Sequence, residues 1–323
     1  MKLNKYIKNG LLAAIIAIMA AMTPGTSQAA KGVITLHEGD WTGNLVTCKL
    51  LEVILKDEMD YKVKRTFLPG GPVVYEAIAG GDLDFACEGW PSYNPTKGQF
   101  IKEWGGDGSV LKMGDVGVIG GSGWYVPRYV IEGDTARGIK AVAPDLKSYK
   151  ELNKYKAIFA TPETAPKGRV LECPVAAWEC ESQGRVDGLG LDYVPVVLGS
   201  DTAQWAELDG AYSRGEPIIL YAWEPHWVHA KYDLVSIELP EYNEEAWPAT
   251  TWYQDITYNY GSPEFKEKYP DAYQLVVNQN LSNTQQAGMI YDVDVGGMDL
   301  EAAVRKWMDA NESVWRAWIP SGS

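Results

Sequence analysis

Between residues 33 and 67 the spacing of apolar positions changes twice. VITLHE (33–38) reads as a strand. Leu45, Leu50, Leu51, Ile54 and Leu55 then recur at helical spacing, and Tyr61, Val63 and Phe67 return to alternation. A helix over 73–79, ended by Gly80 and Gly81, leads into the apolar strand LDFAC (83–87). Strands alternating with helices predict an α/β lobe with a largely parallel sheet. The glycine-rich run GVIGGSGWYVPRYV breaks this pattern near residue 120, and a second α/β set follows. Its members are the strands AIFAT (157–161), VPVVLG (194–199) and PIILYAW (217–223), with a helix from Asp201 to Ser213. After Asp233 the chain turns polar and aromatic, and it ends in a helix opened by Asp299 with Leu300, Val304, Trp307 and Met308 on one face. A chain that leaves one lobe, builds another and returns predicts two lobes, 30–121 with 235–323 and 122–234, hinged near 121–124 and 232–236. The cleft between such lobes is the natural place for a small ligand.

The N-terminus sets the compartment. Lys2, Lys5 and Lys8 precede an apolar run from Leu11 to Met22, and Ser27-Gln28-Ala29 offers a small-residue cleavage site. This predicts a cleaved secretory signal peptide over 1–29, too short in its apolar part to span a bilayer. The first cysteine is Cys48, so no lipid-accepting cysteine opens the processed chain, and a free, soluble, monomeric periplasmic protein is expected. Four cysteines in an oxidising compartment suggest two disulfides. Three connectivities exist; the pairs expected are Cys48 with Cys87 and Cys173 with Cys180. The net charge of −14, made more negative by loss of three leader lysines, repels phosphate backbones and argues against nucleic acid. It suits a cationic, zwitterionic or neutral solute.

Thirteen tryptophans against five phenylalanines is an unusual ratio, because a buried indole needs a partner for its N–H. Trp41, Trp90 and Trp223 each follow or end a strand, where ligands of open α/β sheets bind, and Trp178 sits between Cys173 and Cys180. Plugs of a hydrophobic core are the alternative reading of the first three. Trp307, Trp315 and Trp318, on or near the last helix, read as core. Two indoles from each lobe could form a box for a methylated ammonium, each face contributing roughly 0.5 to 2 kcal/mol. A disulfide closing so short a loop contributes about 2.5 kcal/mol, against about 4 for the wider Cys48–Cys87 bridge. Its better explanation is preorganisation of the Trp178 ring and the N–H groups of Glu179 and Cys180.

The segments YEAIAGGDLDFACEGW, GWYVPRYV, Trp178-Glu179-Cys180, YAWEPHWVHAKYDL and GGMDLEAAVRKWM together resemble a known family across residues 31–320. It is the periplasmic substrate-binding proteins of ABC importers for glycine betaine, choline and related methylated amines. The resemblance implies a two-lobed type II periplasmic-binding-protein fold, an ABC permease as membrane partner, and a cage of Trp90, Trp178 and Trp223. Choline-type members add an aromatic after the first strand, here Trp41. Betaine binders place a histidine four positions after the EGW tryptophan to hold the ligand carboxylate; here that residue is Asn94, which brings no positive charge. The pattern is therefore similar to the trimethylamine N-oxide binders of the family, with glycine betaine or choline as the alternatives. Glu163, in ATPET, is a candidate partner for the oxide oxygen or the methyl face, and otherwise an exposed loop acid. His226, in WEPHW, is a candidate ligand contact or a structural hydrogen bonder. No cofactor is expected. The acidic runs DVDVGGMD and DGLGLD lack the full spacing of a calcium loop and leave a structural Ca²⁺ open. A secreted glycan-acting enzyme using Glu88 and Glu224 is the rival class, but no nucleophile elbow, HExxH helix or Cys/His pair appears among three histidines.

Overall fold

The computed structural model describes residues 31–92 and 96–322; the expected signal peptide over 1–29 and Asn94 lie outside the described residues. Nine strands form one curled sheet: β1 (Val33–Glu38), β2 (Lys62–Phe67), β3 (Phe85–Gly89), β4 (Leu111–Pro127), β5 (Gly168–Leu171), β6 (Tyr193–Val196), β7 (Leu220–Glu224), β8 (Leu234–Ile237) and β9 (Asp255–Gly261). The order is β2-β1-β3-β9-β4-β7-β5-β6, with β8 also paired to β4. The two outer thirds are parallel: β2 and β3 flank β1, and β6 and β7 flank β5. The centre is antiparallel: β4 carries the chain from one lobe to the other, and β9 takes its place between β3 and β4 after the chain has returned.

The glycine-rich run does not break the structure near residue 120. β4 is one continuous strand whose first part pairs with β9, as far as Gly120 opposite Asp255, and whose second part pairs with β7 from Gly121 opposite Glu224. The glycines let this strand bulge past its neighbours. Gly117 has φ +90°, and a Cβ there would stand 2.6 Å from Asn280 Oδ1. A second expectation also changes. Residues 157–161 form no strand: a 3-10 turn covers Lys156–Ile158, and the strand of that region is β5. Phe159 is nonetheless buried, its ring tilted 45° against that of Tyr193, and so short an apolar run fits a buried turn as well as a strand.

The longer helices are α1 (Thr42–Asp57), α2 (Pro72–Ala79), α3 (Asp201–Arg214), α4 (Pro270–Asn278), α5 (Asn283–Asp294) and α6 (Leu300–Ala310). α1 packs between β1–β3 and α5 with α6, fully burying Leu50, Leu51 and Ile54, each worth roughly 1.5 to 3 kcal/mol. Asp299 caps α6 through the N–H groups of Glu301 and Ala302 at 2.9 and 3.2 Å. Trp307, Trp315 and Trp318 are core residues, as their spacing predicts. Both expected disulfides are present: Cys48–Cys87 clamps α1 to β3, and Cys173–Cys180 closes the loop that carries Trp178. The acids of the two runs weighed for calcium are engaged otherwise: Asp292 pairs with Lys306, Asp192 with Lys156, and Asp294 accepts from Thr42. Among the described residues no group of three or more His, Cys, Asp or Glu is placed to hold a metal, and no helix is long and apolar enough to cross a membrane.

Candidate functional site

Trp41 precedes α1, Trp90 follows β3, Trp178 ends the 3-10 turn Ala176–Trp178 and Trp223 lies in β7; all four border one cavity of about 70 Å³ between the lobes. The strand ends aim them there, and glycines let them close in. Trp41 meets Trp178 edge to face at 5.7 Å, and Trp178 meets Trp223 at 5.6 Å. The Trp90 ring lies against Gly120, where a Cβ would stand 2.0 Å from its Cζ3. Gly71, at φ +98°, faces the carbonyl of Ala177, 2.0 Å from where a Cβ would be, so only glycine lets the loop before α2 seat under the Trp178 turn. Tyr75, Tyr221 and Tyr260 complete the aromatic wall.

Glu88 forms the floor. It is 1% exposed and adopts a left-handed backbone at φ +58°. Its Oε1 accepts the indole N–H of both Trp41 and Trp90 at 3.1 and 3.2 Å, and Oε2 accepts from Thr47 Oγ1 at 2.8 Å and from Gln286 Nε2. One carboxylate thus fixes two of the indoles that border the cavity, and the adjacent Cys48–Cys87 bridge fixes the helix and strand that present it. Burial pushes the Glu88 carboxyl above the usual range, while its four donors pull it back. Among the described residues that line the cavity there is no lysine, arginine or histidine.

A third indole is fixed across the cleft. Trp178 Nε1 donates to Asp40 Oδ1 at 3.0 Å, joining the second lobe to the first, and burial raises the Asp40 carboxyl against that hydrogen bond. Trp227 Nε1 makes a parallel link to Asp294 Oδ2 at 2.7 Å. Trp223 is seated from behind by Trp205, at 5.2 Å, and by His226, at 4.9 Å.

The remaining sequence candidates fall elsewhere. His226 is buried among Trp205, Trp223 and Trp227, its Nδ1 accepting from Val228 N at 3.2 Å, and desolvation lowers it to about 3; it is a neutral support behind the cage. Glu179 and Cys180 border a groove behind the cystine loop rather than the cavity. The Glu179 N–H is already used, donating to Ala176 O at 3.2 Å, because the 3-10 turn closes through it. Glu163 is exposed, and its carboxyl is held below the usual range by the Thr161 hydroxyl; it does not reach the cage. Sequence reasoning weighed Glu88 only as a catalytic acid and missed its hold on two indoles. Its place in the same EGW motif as Trp90 was the available signal. Tyr221, two residues before Trp223 on one strand face, was also legible, whereas Tyr75 and Tyr260 carry no local mark.

A family model described as the substrate binding domain of ABC-type glycine betaine transport systems matches residues 32–310. The trimethylamine N-oxide-binding protein of Pelagibacter ubique is 28% identical, over 93% of this chain and 98% of that protein. Among solved structures, the glycine betaine/L-proline-binding protein of Borrelia burgdorferi superposes with a TM-score of 0.70 at 17% identity, covering 90% of this chain and 97% of that one. An ABC-transporter choline-binding protein in complex with choline gives 0.69 at 16% identity, over 90% and 93%. The shared architecture is the type II periplasmic-binding-protein fold.

Proposed function

The chain belongs to the family of substrate-binding domains of ABC-type glycine betaine transport systems, and from that premise we propose that it captures trimethylamine N-oxide in a cage of Trp41, Trp90, Trp178 and Trp223 above Glu88. Family membership makes it a solute-binding component of an importer rather than an enzyme. We place it in the periplasm as a monomer, after removal of residues 1–29, delivering its ligand to an ABC permease.

The observation that carries this reading is the chemistry of the wall: four indoles, a buried carboxylate, and no basic side chain among the described lining residues. Four ring faces on a trimethylated nitrogen contribute about 2 to 8 kcal/mol together, and about 8 kcal/mol corresponds to 1 μM. A ligand carboxylate would meet Glu88 with no cation to offset it. An N-oxide oxygen only accepts hydrogen bonds and carries less charge than a carboxylate, so it tolerates a wall without a basic side chain. The small cavity suits a solute of few heavy atoms. The trimethylamine N-oxide-binding relative supports the same choice.

Choline is the second reading, favoured by Glu88 as an ionised partner for a full cation. Calorimetric titration of trimethylamine N-oxide, choline, glycine betaine and carnitine across pH tests both readings. The first reading expects trimethylamine N-oxide to bind most tightly of the four, and the second expects choline to do so. Glycine betaine binding at least as tightly as the N-oxide would overturn the proposal.

A further inference from the structure

The cage loop and both crossings between the lobes meet at one buried cation. Arg185 is completely buried, five residues beyond Cys180. Its Nη1 donates to the carbonyl of Cys180 at 2.9 Å and its Nε to the carbonyl of Thr250 at 3.1 Å. The guanidinium lies 3.5 Å from the Trp252 ring centroid and 4.9 Å from that of Trp247. Thr250, Trp247 and Trp252 belong to the segment that returns from β8 to β9, which is the second crossing. The first crossing arrives through Glu172. That buried carboxylate attracts Arg185, accepts the indole N–H of Trp124 on β4 at 2.6 Å, and accepts the N–H of Cys173 at 3.3 Å. Both ends of the cystine loop are therefore held by buried charged groups, Cys173 by Glu172 and Cys180 by Arg185, and these also grip one residue from each crossing.

The same cation touches the cage by a second route. Trp252 packs on Tyr221 at 5.5 Å, and Tyr221 packs on Trp223 at 5.6 Å. An isolated buried arginine is costly, and burying this one is unnecessary for closing a cystine loop. Its planar fork, unlike an ammonium, can bond two carbonyls on different segments and stack on an indole at the same time.

We propose that Arg185 is a positioning residue: it ties the return crossing to the cystine loop, so that the placement of Trp178 depends on how the lobes are set. This rests on Trp178 being a wall of the ligand cage. The test uses fluorotryptophan-labelled full chain, with the Trp178 fluorine resonance assigned through Trp178→Phe, in Arg185→Met, Arg185→Lys and Trp252→Leu. Arg185→Met should shift or broaden the Trp178 resonance in ligand-free protein and weaken trimethylamine N-oxide binding about 2- to 30-fold, the range carried through packed networks. Arg185→Lys, which keeps the charge but not the fork, should recover part of both effects. An unchanged Trp178 resonance with unchanged affinity, even at lowered thermal stability, would make Arg185 a purely structural residue and overturn the proposal. If Arg185→Met does not fold, the same two readouts on Arg185→Lys and Trp252→Leu decide it, no change in either overturning it. Should the unaltered protein bind no methylated amine, the cage reading fails, while the ligand-free Trp178 resonance still decides the role of Arg185.

Discussion

Replacing Trp178 separates two contributions that the structure assigns to one side chain. Its ring faces the cavity, and its Nε1 reaches across the cleft to Asp40 at 3.0 Å. Trp178→Phe keeps a ring face and removes the hydrogen bond, which involves a carboxyl and is worth roughly 1.5 to 3 kcal/mol. That bond exists only when the lobes stand together, so its loss should appear in ligand affinity, at about 10- to 150-fold. Trp178→Ala removes the ring as well, a further 0.5 to 2 kcal/mol or so, for a total of about 30- to 4000-fold. Calorimetry with trimethylamine N-oxide measures both, and tryptophan fluorescence on titration gives an independent reading. The ratio of the two variants isolates the ring term. An alanine variant within about tenfold of the unaltered protein removes Trp178 from the cage. Equal affinities for the phenylalanine and alanine variants would mean that the ring face does not meet the ligand, and a phenylalanine variant that binds normally would leave Asp40 without a part in closure.

Two further outcomes follow from the same interface. Gly71→Ala places a methyl where the Ala177 carbonyl stands and forces φ +98° on a residue with a Cβ, so the Trp178 turn should be held off the loop before α2. Affinity should drop by about 1 to 3 kcal/mol, and X-ray scattering with saturating ligand should show a more open molecule; normal compaction and affinity would refute the contact. Asp201, raised to about 6 by burial and by the nearby acids Asp294 and Asp40, is destabilising once ionised. A folded-state pKa above the unfolded one means stability is greatest at low pH and is lost as pH rises through about 6. Asp201→Asn should therefore stabilise the protein by about 2 to 3 kcal/mol above that pH and by little below about 4, as measured by urea melts; a pH-independent effect would contradict it.

The α/β alternation, the final helix capped by Asp299, the four indoles that border the cavity and the short cystine loop could be read from the chain, because each leaves a local mark: period, cap, composition or spacing. What could not be read is set by contacts between distant segments. The run around Gly120 looks like a break because glycine weakens any local pattern, yet two separate partners, β9 and β7, hold it extended. AIFAT is apolar enough for a strand, and no local feature distinguishes a strand from a buried 3-10 turn at that length. Glu163 follows AIFAT, and because no strand forms there its carboxylate stays at the surface. Glu88 was visible as an acid beside Trp90, but its hold on Trp41 depends on α1 returning over β3. The turn that uses the Glu179 N–H does not show in the residue types.

The continuous strand β4 has a mechanical meaning. Its hydrogen-bond ladder passes from β9 at Gly120 to β7 at Gly121, so the two halves of the molecule share one ribbon at that point. A rotation of one half against the other would twist this ribbon there, as well as the return segment between β8 and β9. Gly120 is also the surface on which the Trp90 ring rests. The strand that joins the halves and one wall of the cavity thus share the same few atoms: a twist of the ribbon would move the seat of the Trp90 indole.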